Sequence, residues 1–162
     1  MDRATLLLKR EAAIEYLKGF QGIRYYSADG TDPDSLIGGD DDPVLGFNCS
    51  GLLSETLRGV GLLAHNIRLS VDGLYKVFQG KAVKGTPQRG DLLFFGTLSP
   101  GAEPDLVHVA MMVDDLHFYE AGGGSRGTDT DHEAAKKNAF VRMRPVEFRE
   151  AERVAICRIW ES

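Results

Sequence analysis

Helical periodicity fills the first half of this chain and short strand-like apolar runs fill the second. That order limits the fold more than any other feature of the sequence. Leu6, Leu7, Ala13, Ile14, Leu17 and Phe20 recur at helical spacing among charged residues, which predicts a helix from residue 2 to about 19, closed by Gly19 and Gly22. A second helix is expected to start at Asn48 or Cys49, with Leu52, Leu53, Thr56 and Leu57 on one face. A short third helix spans Val71 to Phe78. The pattern then changes. Leu92–Phe95, Val107–Val113, Leu116–Ala121, Phe140–Arg144 and Val154–Trp160 are strand-length runs separated by turn residues, broken only by a short helix from His132 to Asn138. Helices first and strands later imply an α+β domain: N-terminal helices packed on a five- to six-stranded antiparallel sheet. The 162 residues suit one domain over 1–162 with a single core.

Residues 27 to 47 interrupt this plan. Asp-Gly, Asp-Pro and Gly-Gly steps make the stretch a loop, and Asp29, Asp32, Asp34, Asp40, Asp41 and Asp42 make it acidic. Lys136, Lys137, Arg142, Arg144 and Arg149 make the end of the chain basic; both regions read as solvated faces. A net charge of −5 gives no general reason to bind nucleic acid. No apolar run approaches the roughly 18 residues of a membrane span. The apolar run at the N-terminus is too short for a signal peptide, so synthesis in the cytoplasm and delivery by another agent are expected if the substrate lies outside.

Two cysteines make no disulfide framework, and their settings differ. Cys157 lies in a late strand with no local base and reads as structural. Cys49 follows Asn48, a good N-cap residue, so its sulfur falls in the first turn of a helix, where the dipole favours thiolate. Ser50 and Gly51 are small and leave nearby backbone N–H groups open to an oxyanion. The other reading of Cys49 is a small buried hydrophobe. A thiol nucleophile needs a base. His65, His117 and His132 sit at ordinary polar positions, whereas His108 lies in the apolar run Val107–Val113, on the face of Ala110 and Met112. There it is either a satisfied core residue or a base. Glu120, on the next strand, would lie directly opposite His108 across a three-residue hairpin loop and could orient the imidazole; a two-residue turn would put the two on opposite faces. The plainer reading of Glu120 is a surface glutamate near a strand end.

These signals coincide with one family pattern. Gly46-Phe47-Asn48-Cys49-Ser50-Gly51-Leu52 resembles the nucleophile motif of NlpC/p60-type cysteine peptidases. Gly90-Asp91-Leu92-Leu93-Phe94-Phe95 is similar to a strand of that family, and His108-Val109-Ala110-Met111-Met112 to its base strand. Glu120-Ala121 falls where the family usually carries His-Ala. The resemblance implies a papain-like fold and a thiol hydrolase acting on peptidoglycan stem peptides, commonly between D-γ-glutamate and a diamino acid. Cys49 would be nucleophile, His108 base and Glu120 the third residue. No metal or cofactor is implied. A tyrosine near the oxyanion is also implied, with Tyr25 favoured over Tyr26; the alternative alignment puts Ser35 there, before Ile37-Gly38-Gly39. Glu120-Ala121-Gly122-Gly123-Gly124 and the run Asn138–Pro145 resemble the phage branch, which implies phage tail or lysis components as partners and release by a phage particle or holin. A non-catalytic domain of the same fold and a related amidase or acyltransferase are the competing readings.

Overall fold

A computed structural model describes residues 1–27, 46–124, 127–128 and 131–161. The acidic loop, with Ser35 and Ile37-Gly38-Gly39, lies outside them almost entirely. The first helix, α1 (Arg3–Lys18), opens on Asp2, whose carboxylate accepts the Thr5 N–H at 3.0 Å. Ala13, Ile14 and Leu17 form its fully buried stripe. Helices α2 (Cys49–Gly59) and α3 (Val71–Phe78) follow, and α3 is capped by the Ser70 side chain. The strands are β1 (Ala82–Val83), β2 (Leu92–Thr97), β3 (Asp105–Met112), β4 (His117–Gly122), β5 (Phe140–Pro145) and β6 (Arg153–Cys157), with α4 (Asp131–Lys136) between β4 and β5. They form one six-stranded antiparallel sheet in the order β1-β6-β2-β3-β4-β5. This is the papain-like α+β arrangement expected from the sequence.

Each sheet face buries its own apolar set. Leu92, Phe94, Val109, Met111 and Tyr119 meet α1, α2 and α3 on one side. Leu93, Phe95, Ala110, Met112, Phe118 and Ile156 form a smaller cluster on the other, with Val146 and Phe148 packed against it. The alternation within β2 and β3 is therefore a two-sided core, which is why these strands read as nearly continuous apolar runs. Besides shifts of one or two residues at element ends, one strand was not expected and one ends early. The two-residue β1 is too short to carry a periodic signal. The last strand stops at Cys157 rather than running to Trp160, because the Arg158 N–H turns to the Lys81 carbonyl and its guanidinium pairs with Asp91 at 3.0 Å. Trp160 is then buried outside the sheet, donating its indole N–H to the Gly90 carbonyl at 2.7 Å. Gly90 is required there: its φ is +89°, and a Cβ would come within 2.8 Å of the Trp160 ring.

The pairing of β2 with β3 contains the irregularity that matters most for function. Phe95 pairs with His108 but Gly96 pairs with Leu106, so Val107 is an extra residue on β3. Across this bulge Leu106 and Val109, three residues apart, both reach the helix-side cluster, while Val107 is left 64% exposed. A bulge bends its strand and redirects the neighbouring side chains, and the side chain beside this one is His108. Among the described residues no helix is long and apolar enough to cross a membrane.

Candidate functional site

Cys49 is the first residue of α2. Asn48 caps the helix: its side-chain oxygen accepts the Gly51 N–H at 2.7 Å and the Ser50 hydroxyl at 3.3 Å, and its amide donates to the Ser27 carbonyl at 2.9 Å. The cap thus fixes the start of α2 and ties it to the segment carrying Tyr25. The Ser50 hydroxyl is spent on the cap, so its backbone N–H is the group offered to the sulfur. Tyr25 is stitched in by backbone bonds on two sides, from its own N–H to Ala139 at 3.0 Å and from the Tyr26 N–H to Phe47 at 3.1 Å. Its ring packs so tightly on Gly124 that a Cβ there would lie 2.0 Å from a ring carbon. Gly124→Ala must displace the Tyr25 ring, and with Tyr25 as an oxyanion donor kcat/KM should fall roughly tenfold; an unchanged kcat/KM would show that the ring position is immaterial.

His108 reaches the site from β3. Its Nε2 lies 2.7 Å from Glu120 Oε2, and its ring also interacts with the Cys49 thiol; with Nε2 on the carboxylate, Nδ1 is the nitrogen left for the sulfur. Cys49, His108 and Glu120 therefore form one continuous chain of contacts from helix to sheet. The hairpin register is not the one expected. Met111 pairs with Tyr119 and Met112 with Phe118, and the loop is three residues long, but it is Asp114–Leu116. Glu120 is consequently diagonal to His108 on the same face rather than directly opposite it, a spacing that two long side chains bridge.

Burial and charge oppose each other throughout the site. Burial alone would raise the Cys49 thiol, yet the His108 hydrogen bond and charge, aided by the Val109 and Ser50 N–H groups, bring it below the usual thiol range. Burial alone would lower the imidazole, but the Cys49 and Glu120 contacts lift it to about 9. Burial would raise Glu120, but His108, Arg149 and Arg144 hold it below the usual carboxylate range. Burial, and then the charge on Cys49, raise the Tyr25 phenol, which keeps it an O–H donor at neutral pH. Both shifts act in the direction of a thiolate beside an imidazolium. Cys157 is the contrast: buried, with its thiol pushed up to about 11 by burial and by Asp91.

The sequence reading missed two features. Arg144 and Arg149 are not simply a solvated basic face, since both turn onto Glu120. The only available signal was the register, which puts Arg142 opposite Glu120 and Arg144 on the same face of β5. The bulge at Val107 had none beyond Gly96. Among the described residues no group of three or more His, Cys, Asp or Glu side chains is placed to hold a metal ion.

Comparison with known proteins gives this geometry a family. The peptidoglycan hydrolase RipB from Mycobacterium tuberculosis superposes with a TM-score of 0.67 at 26% identity, over 100% of this chain and 70% of that one. The P60 domain of an antigen from M. avium subspecies paratuberculosis gives 0.63 at 24% identity, over 97% and 98% of the two chains. NlpC2 from Trichomonas vaginalis gives 0.60 at 21%, over 95% of this chain and 47% of its own. The search of curated proteins found no match. The NlpC/P60 family matches residues 24–144, a span that holds Tyr25, Cys49, His108 and Glu120, and the chain belongs to that family.

Proposed function

We propose that the chain is a cysteine peptidase that hydrolyses peptidoglycan stem peptides, with the bond between D-γ-glutamate and a diamino acid as its target. The observation that carries this is the contact chain Cys49–His108–Glu120, built at a capped helix start within an NlpC/P60 fold. The description of RipB as a peptidoglycan hydrolase supports the substrate class. A phage origin draws no support from the relatives described above.

In this mechanism the Cys49 thiolate attacks the scissile carbonyl carbon. The S–C bond forms as the carbonyl electron pair moves onto oxygen, where the Ser50 backbone N–H and the Tyr25 hydroxyl donate to the oxyanion. Collapse breaks the C–N bond, and the His108 imidazolium gives its proton to the departing amine. Water then attacks the thioester as His108 takes its proton; the S–C bond breaks, releasing the carboxylate product and the thiolate. Glu120 holds the imidazole with Nδ1 toward the sulfur and stabilises its charged form.

The test is mass spectrometry of peptidoglycan fragments after incubation with the protein. New amino termini at the diamino acid are expected. Their absence, from folded protein whose Cys49 alkylates readily, would overturn the reading. The pH dependence gives a second check. The active pair needs Cys49 deprotonated and His108 protonated, so kcat/KM should fall on the alkaline side near pH 9 as the imidazolium loses its proton. Glu120→Gln removes a charge that raises the imidazole, so this limb should move to lower pH; a limb that stays in place would deny Glu120 its role.

A further inference from the structure

Glu120 is completely buried, and a carboxylate shut away from water must find its donors in the protein. His108 supplies one, on Oε2. Arg144 Nε supplies another, on Oε1 at 3.2 Å, and Arg149 Nε stands 3.7 Å from Oε2 as a charge contact. We propose that Arg144 and Arg149 are positioning residues of the thiol site, clamping the Glu120 carboxylate from behind so that Oε2 is presented to His108 Nε2. The proposal rests on the reading of Cys49, His108 and Glu120 given above.

Two further observations show a built arrangement rather than chance proximity. Both guanidinium groups lie over the ring of Phe148, Arg144 at 4.1 Å and Arg149 at 5.6 Å from its centroid, and Phe148 itself packs on the outer core cluster. The ring is a fixed surface on which both cations are oriented. Arg149 also adopts a left-handed backbone, φ +61°, which is costly for a residue with a side chain. The turn after β5 accepts that conformation while bringing its guanidinium back to the Glu120 carboxylate.

The charged and titratable groups around Glu120 are His108 from β3, Arg142 and Arg144 from β5, Arg149 from the turn that follows, and Cys49 of α2 through His108. Arg153 of β6 is paired with Glu150 at 3.5 Å. Without Arg144 and Arg149, burial acts on Glu120 with less opposition. It would take up a proton more readily, and a neutral glutamic acid supports the imidazolium, and hence the thiolate, less well.

The experiment is a double-mutant cycle on the whole chain. Arg144→Gln with Arg149→Gln is made in the parent and in a Glu120→Gln background. One readout is the pH midpoint of Cys49 alkylation by iodoacetamide, located by peptide mapping, and the other is kcat/KM on peptidoglycan. In the parent background the arginine pair should raise the midpoint by about one pH unit and lower kcat/KM by ~10-fold. In the Glu120→Gln background the same replacement should shift the midpoint by less than about 0.3 pH unit and change kcat/KM by less than about twofold, because the arginines act through the carboxylate. Arg144→Lys with Arg149→Lys, which keeps the charge, should recover part of the midpoint and guards against a folding defect. Equal changes in both backgrounds, or none in the parent, would overturn the proposal. If Glu120→Gln alone moves neither readout, the three-residue reading has failed; if it moves both and the arginines do nothing, only the clamp has failed.

Discussion

With Cys49 as the proposed nucleophile, Cys49→Ala is expected to abolish hydrolysis of peptidoglycan peptides, lowering kcat by about 10³-fold or more, while the folded state persists. A triad nucleophile has no substitute, and what survives its removal is only the acceleration from binding and oxyanion contacts. The fold should tolerate the change because alanine keeps the start of α2 and leaves the Asn48 cap untouched. Thiol labelling sharpens the test. At mildly acidic pH the parent should be alkylated at Cys49, whose thiol lies below the usual range, and not at Cys157, whose thiol is pushed up to about 11. Slow, equal labelling of the two cysteines would indicate an inert domain of the same fold.

Gly96→Ala should disable the site from a distance. A Cβ at Gly96 would lie 1.9 Å from the Asp105 carbonyl oxygen and 3.0 Å from the Leu106 Cα, all backbone on the facing strand. No rotamer change relieves that overlap, so β2 and β3 must part exactly where the bulge redirects His108. Overpacking of this kind costs about 1–3 kcal/mol. The denaturant midpoint should fall with its slope unchanged. The acid-side alkylation of Cys49 should weaken as well, because the imidazole is no longer held against the sulfur. A variant with parental stability and parental thiol reactivity would show that the close approach at Gly96 does not set the position of His108.

Much of this architecture was legible in the sequence because the signals were local. The Asn48 cap, the stripe of α1 and the α3 boundaries follow from residues within a few positions of one another. The meeting of Cys49 with His108 was also foreseeable, since the thiol and imidazole motifs resemble one family in order and spacing. What was not legible depends on pairing. The hairpin loop could be placed at three residues, yet it starts one residue later than expected, which shifts the pairing by two positions and keeps Glu120 on the face of His108; Asp114 accepts the N–H groups of Leu116 and His117 at 2.7 Å and so fixes where the turn begins. The same holds for Arg144 and Arg149. Basic residues near a strand end look solvated until the partner strand is known, and here that strand carries a buried carboxylate.

The division of the reacting pair between two layers has a consequence for how the protein matures. The sulfur belongs to α2 and the imidazole to β3, so the helix start supplies only part of what lowers the thiol and the docked sheet supplies the rest. A compact intermediate whose helices have not yet docked on the sheet would carry Cys49 without its imidazole partner. Capture of Cys49 at mildly acidic pH during refolding should therefore rise as the two layers dock, because only then does the imidazole reach the sulfur.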